Sequence, residues 1–274
     1  MRLQIRSLLM IAVFTGLTLT SLAWQLLAPG LELGVFEAEL PNEISDRKIT
    51  ILRIDPKLWE QEFAGVSQNP DQLHNLHTTQ EWCEIRGYVV AINAGMFQTD
   101  YVRNVGYLKA GDHLNNPGVN DYLSVAAFDP VQEGLPYFRI FDLDLPGITM
   151  EDIVDEYGTV IQNLRLIKRP EENRWKQQDK RWSEVALGED IDGSILFIYC
   201  RSPYSMHDLN EMLLGLDIGL QCAQHLEGGP EAQLYIKVDE FEQQLIGSYE
   251  TDFYPRDDNH VAWKVPNVIG VKQR

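Results

Sequence analysis

His225-Leu226-Glu227-Gly228-Gly229-Pro230-Glu231 sets a carboxylate, two glycines and a proline behind an apolar-rich run. That combination is poor material for a buried element. Glycine lets the backbone turn sharply and lets another group approach closely. Helical spacing precedes it in Leu209–Leu216, and Ala232-Gln233-Leu234-Tyr235-Ile236 alternates after it as a strand does. Glu227 is therefore expected at a strand end, on the lip of a cleft. A plain tight turn is the competing reading.

A second stretch answers the first. Tyr88-Val89-Val90-Ala91-Ile92 reads as a buried strand and runs into Asn93-Ala94-Gly95-Met96-Phe97. Before it, Thr78-Thr79-Gln80-Glu81 has the form of a capping box, and the short helix that follows stops at Gly87. The later unit repeats the plan. Ser205-Met206-His207-Asp208 opens a helix with Met206, Leu209, Leu213 and Leu216 on one face, and Gly219 precedes the strand Cys222–Leu226. Set side by side, the two units would bring Asn93 and Glu227 to the same edge of one sheet.

Further strands are expected at Ile49–Ile54, Ser124–Phe128 and Tyr137–Asp142, and Thr159–Gln162 with Leu164–Ile167 forms one strand or a hairpin. Val185–Gly188 and Ser194–Tyr199 flank an Asp-Gly turn signal at Asp192-Gly193, and Val268–Val271 closes the chain. Trp59 to Gln80 reads as polar and loop-like. Strands outnumber helices and long helical crossovers are few. The fold class is α+β: a mixed, mostly antiparallel sheet with a few short helices, in a single domain over residues 49–274.

The 274 residues are 44% hydrophobic, ample for one core, and carry a formal net charge of −18. That balance excludes nucleic acid and anionic membrane surfaces as general partners. Residues 1–30 are separate material. Arg2 and Arg6 form a basic start, no charge follows from Ser7 to Leu31, and Ser21 and Ala23 suit cleavage after Ala23. The uncharged run also has the roughly twenty residues of a single membrane anchor. Either reading places the rest outside the cytoplasm, periplasmic or extracellular, with residues 31–48 as a connector. Cys83, Cys200 and Cys222 do not make a disulfide scaffold. Cys200 and Cys222 would pair if their strands were neighbours; three buried thiols is the alternative. The scattered histidines give no support for a metal site, and no cofactor motif occurs.

Taken together these stretches resemble the phosphodiester glycosidase family, whose members include the enzyme that uncaps phosphodiester-linked N-acetylglucosamine on lysosomal proteins and many bacterial envelope proteins. The similar residues are Asn93-Ala94-Gly95-Met96-Phe97, Arg181 before the strand ending Val185-Ala186-Leu187-Gly188, Leu226-Glu227-Gly228-Gly229-Pro230, and Pro266-Asn267-Val268-Ile269-Gly270-Val271. They cover the chain from about Thr78 to the C-terminus. Two departures stand out. Glu227 replaces the family's aspartate, and Pro230, Glu231 and Ala232 replace its glycine and serines.

The resemblance implies an exported hydrolase that cleaves a sugar-1-phosphodiester at the anomeric carbon, acting on envelope or exopolysaccharide. A non-catalytic envelope protein that binds anionic glycan through the inherited cleft is the alternative. The leaving phosphate carries its own negative charge, so the reaction needs donors near phosphate and a carboxylate near the developing oxocarbenium ion. Glu227 is the expected carboxylate, as nucleophile, base or electrostatic stabiliser. Arg181 is the expected phosphate ligand, since a guanidinium offers paired donors. Asn93 either binds substrate or holds a turn. Gly95, Gly228 and Gly229 would admit the substrate to the backbone, with Glu231 and His225 in support. His225 shares a face with Glu227 if strand alternation holds.

Overall fold

The computed structural model describes residues 24–42 and 44–274. The expected export signal or anchor over residues 1–23 lies outside the described residues. In chain order the elements are β1 (Trp24–Ala28), β2 (Leu31–Glu37), β3 (Lys48–Ile54), β4 (Trp59–Gly65), α1 (Thr79–Arg86) and β5 (Val90–Asn93). Then come β6 (Leu108–Ala110), β7 (His113–Asn116), β8 (Ser124–Pro130), β9 (Phe138–Asp142), α2 (Met150–Glu156) and β10 (Tyr157–Asn163). The chain continues with β11 (Arg165–Lys168), β12 (Glu172–Asn173), β13 (Trp182–Asp190), β14 (Ile195–Tyr204), α3 (Met206–Gly215) and β15 (Leu220–Gly228). After a short 3-10 turn at Gly229–Glu231 it ends in β16 (Gln233–Val238), β17 (Phe241–Ile246) and β18 (Asn267–Gln273).

Three antiparallel sheets share one core. The largest has the order β1-β2-β3-β14-β13-β15-β11-β12; the others are β7-β6-β10-β8-β9 and β17-β16-β5-β18-β4. Leu52, Phe197 and Leu226 from the first meet Phe128 and Ile161 from the second and Ile92 and Ile269 from the third. The outer face of each sheet is covered by one helix. α3 lies on the large sheet through Leu209 and Leu213, α1 on the β5 sheet through Trp82 and Cys83, and α2 on the β10 sheet through Ile153. Strands buried on both faces read as unbroken apolar runs, which is why Ile195–Cys200 shows no polar alternation.

Both expected capping boxes are helix starts. Thr78 and Glu81 bond each other's backbone N–H groups at α1, and Ser205 accepts from Asp208 N–H at α3. Gly87 ends α1 in the left-handed region at φ 70°.

Three expectations are corrected. Residues 31–48 are not only a connector: β2 occupies Leu31–Glu37, and β1 extends the same sheet back to Trp24. Trp59–Gly65 is a strand, not a loop. Its polar Glu60 and Glu62 alternate with buried Gln61 and Phe63, and it pairs with the C-terminal β18. Cys200 and Cys222 are free, because β14 and β15 lie on opposite sides of β13. Among the described residues no helix is long and apolar enough to cross a membrane.

Candidate functional site

β15 delivers the site, with β13 as its neighbour. Ala186 pairs with His225 and Val185 with Glu227, so Leu226 is an extra residue on β15. A bulge of this kind re-aims the side chains around it. It interrupts the alternation that would have placed His225 and Glu227 on one face. The strand ends at Gly228, and Gly229 takes φ 63°, which glycine accepts without strain.

The Gly229–Glu231 turn leads from the large sheet into β16, which pairs with β5. Asn93 and Glu227 are therefore not on one sheet edge. They meet because the turn crosses between sheets and Asn93 clamps its far side. The Asn93 Nδ2 group donates to the Glu231 carbonyl at 3.0 Å, and Asn93 Oδ1 accepts from Gln233 N–H at 2.8 Å. Both ends of the buried amide are engaged, so Asn93 holds the turn. Gly95 has a similar structural duty. A Cβ there would lie 2.8 Å from Asn104 Oδ1 and closer still to Asn163.

The two glycines of the turn admit protein groups. A Cβ on Gly228 would lie 2.6 Å from Trp182 Cδ1, and one on Gly229 would lie 2.7 Å from Glu250 Oε2. Trp182 and Glu250 are bridged in antiparallel fashion. The indole N–H of Trp182 donates to Glu184 Oε2 at 2.6 Å, while Glu184 Oε1 meets His225 Nδ1 at 2.6 Å. Glu184 is wholly buried.

Around Gly228-Gly229 the chain thus gathers Glu227, Glu231 and Glu250, all half-buried, beside the buried Glu184–His225 pair. None of those three half-buried carboxylates has an ion-pair partner among the described residues. Burial, then the charge of Glu231, pushes the Glu227 carboxyl up to about 8. Burial, then Glu250, pushes Glu231 up to about 7. Burial alone would lower the His225 imidazolium, but the carboxylates of Glu184, Glu227 and Glu250 hold it above its ordinary range. Tyr101 completes the rim. It is 42% exposed, stands at φ 55° on a loop tip, and its ring lies 5.1 Å from that of Phe97. The charges of Glu231 and Glu227 reach its hydroxyl and raise it.

Arg181 does not join this group. Its guanidinium lies 5.5 Å from the Tyr249 ring and lines a separate hollow that contains none of Glu227, Glu231 and Glu250. The residue β13 does bring in is Glu184, three positions on, a carboxylate where a guanidinium was expected. Sequence reasoning also missed Glu250 and Tyr101. Glu184 left a signal, a charged residue inside the apolar run Val185–Leu187 and its flank; Glu250 and Tyr101, in irregular segments, left none.

Compared with known families, residues 86–272 match the model of the phosphodiester glycosidases. The chain belongs to the phosphodiester glycosidase family. Among solved structures it is similar to the catalytic domain of zebrafish N-acetylglucosamine-1-phosphodiester alpha-N-acetylglucosaminidase auto-inhibited by pro-peptide, at 16% identity and a TM-score of 0.65, covering 90% of this chain and 85% of that one. A hypothetical protein from Synechocystis is similar at 14% identity and a TM-score of 0.58, covering 90% of this chain and 62% of that one. No curated protein matches. At these identities the structural likeness establishes the fold, and the family match alone makes the chain a phosphodiester glycosidase-type protein.

Proposed function

We propose that this phosphodiester glycosidase hydrolyses a sugar-1-phosphodiester, with Glu227 as general acid and Glu231 as general base. The observation that carries the reading is the pair of carboxyls at the Gly-Gly turn, held at about 8 and about 7. Between about 7 and about 8 the first keeps its proton while the second gives its proton up, which is the division of labour that acid–base hydrolysis of a glycoside requires. Glu231 takes a proton from water as its oxygen bonds to the anomeric carbon. The bond from that carbon to the phosphate oxygen breaks, and the leaving phosphate takes the Glu227 proton. A protonated Glu227 also donates a hydrogen bond where an ionised one would repel the anionic diester. His225 adds positive charge behind it.

The test is release of free sugar from methyl N-acetylglucosamine 1-phosphate diester by the parent protein and by Glu227→Gln. The expected result is turnover by the parent and a loss of at least about a hundredfold in the variant. Equal turnover by both would refute the role. The alternative of a glycan-binding protein draws on one observation, that among the described residues no arginine pairs with these carboxylates; binding without turnover by the parent would favour it.

The site of action we propose is the envelope, outside the cytoplasm. With Trp24–Ala28 taken into β1, the uncharged run from Ser7 keeps only residues 7–23, seventeen in all, at the short limit of the roughly 17–25 needed for a membrane span. A cleaved signal ending at Ala23 fits that division better than an anchor. N-terminal sequencing of the mature protein should read from Trp24; a chain retaining Arg2 and Arg6 would refute cleavage.

A further inference from the structure

The carboxylate cluster has a neighbour on the other side of a narrow ribbon. Residues 181–183 and 249–251 run antiparallel, joined by Thr251 N–H to the Arg181 carbonyl and Ser183 N–H to the Tyr249 carbonyl. Trp182 and Glu250 turn toward Gly228 and Gly229. Arg181, Tyr249 and Thr251 instead line an open hollow of ≈ 680 Å³ at the start of α3. That volume is within the roughly 300–1,000 Å³ typical of small-molecule sites.

Arg181 is unusual in this acidic protein. Ten other arginines among the described residues pair with carboxylates, and Arg274 donates to the Pro56 carbonyl. Among these residues only the Arg181 guanidinium has neither an ion pair nor a hydrogen bond. The Tyr249 ring holds it in place without consuming its five donors. In the same hollow the Gln178 amide nitrogen is buried with no hydrogen-bond partner among the described residues. A buried donor left unmade is costly, so it marks a place where an acceptor is wanted.

The acidic groups of the hollow are arranged for hydroxyls. Asp208 is already engaged, accepting from Gln177 Nε2 at 2.7 Å and from Ser205 Oγ at 2.9 Å, at the helix start where the dipole favours its charge. Its remaining lone pairs, with those of exposed Asp179, can accept from ligand O–H groups. Donors for one anionic group therefore stand beside acceptors for a polyol.

We propose that this hollow binds a phosphorylated sugar unit, one unit along the glycan from the bond cleaved at Glu227. The position along the glycan rests on the hydrolase reading; the binding of a sugar phosphate does not. The probe is glucose 1-phosphate, titrated by calorimetry or NMR against the parent, Arg181→Gln and Glu227→Gln, with glucose as the control. Arg181 is exposed, so its replacement spares the fold. The parent and Glu227→Gln should bind glucose 1-phosphate alike and prefer it to glucose. Arg181→Gln should bind at least about tenfold more weakly, the loss of charge-assisted hydrogen bonds. Unchanged binding in Arg181→Gln, or lost binding in Glu227→Gln, would overturn the subsite. On substrates, Arg181→Gln should raise KM more for an oligomer with two phosphates than for a single diester. Equal effects on the two would overturn its place one unit away. If Glu227→Gln keeps full turnover, the hydrolase assignment fails while the binding result stands.

Discussion

Replacing Glu227 by Gln should make the protein more stable at neutral and alkaline pH while abolishing its activity. The folded carboxyl holds its proton up to about 8, against an ordinary value of 4.5 in the unfolded chain. Between those values the folded state binds the extra proton. Stability contributed by this group is therefore complete below about pH 4.5 and is lost as pH rises toward 8. Glutamine is neutral throughout and keeps an oxygen to accept from Gly228 N–H, as Glu227 Oε1 does at 3.0 Å. From pH 5 to pH 8 the gap between the two proteins should widen by three pH units at about 1.4 kcal/mol each, or ~4 kcal/mol for a carboxyl cut off from water. Glu227 is only half-buried, and solvent at its edge reduces the expectation to about 2–3 kcal/mol. In a chain of this size that is about 5–10 °C in Tm. Thermal or urea melts of both proteins at pH 5 and pH 8 measure it. A gap that stays constant across that range, or a variant less stable than the parent at pH 8, would refute the idea that burial and Glu231 hold a proton here.

The remaining expectations concern the groups around that proton. Turnover should follow a narrow bell, falling as pH rises through about 8, where Glu227 loses its proton, and as pH falls through about 7, where Glu231 gains one; a kcat/KM profile checks it, the two values belonging to the coupled pair. Glu184→Gln removes the carboxylate that holds the His225 imidazolium, so it should cost about 3 kcal/mol and move the alkaline limb of the bell upward as His225 ceases to favour ionised Glu227. Gly228→Ala sets a Cβ 2.6 Å from Trp182 Cδ1 and should cost about 1–3 kcal/mol with loss of turnover, read by melts and by indole fluorescence. Asn93→Ala frees both ends of the turn clamp and should cost about 2–3 kcal/mol, with kcat reduced more than KM is raised.

Much of this arrangement was legible in the chain because local signals and tertiary demands coincided. The capping boxes at Thr78 and Ser205, the stop at Gly87 and the strand running into Asn93 are short-range statements, and the fold keeps each of them. The glycines at 228 and 229 mark the turn in the sequence, but the groups that come close to them are Trp182 and Glu250, which no local signal announces. What escaped is long-range. An uncharged run that reads as an export signal or anchor hides β1, since strand and membrane segments share an apolar composition. Trp59–Gly65 carries two glutamates, so its pairing with β18 is visible only once residue 267 and its successors are in place. Arg181 and Glu184 are three positions apart on one segment, yet Glu184 belongs to the buried strand and Arg181 to the loop before it. Only the register with β15 tells which of them faces Gly228.

An anionic diester entering a ring of carboxylates would be repelled unless something cancels their charge. A guanidinium is one solution, and among the described residues the unengaged guanidinium beside the site is that of Arg181, turned into the adjoining hollow. The other solution is protons. Burial, with the crowding of carboxylates added to it, raises Glu227, Glu231 and Glu250, so that near neutrality the cluster carries fewer charges than it has carboxyls. The buried Glu184–His225 pair contributes an imidazolium at the cluster's back without adding net charge of its own. The changes that seem to spoil the family's Gly-Gly motif, Glu227 for aspartate and Glu231 in place of a small residue, then belong together. Burial and the charge of Glu231 make the Glu227 proton harder to lose, and burial and the charge of Glu250 do the same for Glu231. On this view the site replaces a fixed cation with shared protons, and its grip on phosphate should weaken with rising pH in a way that an arginine-based site would not show.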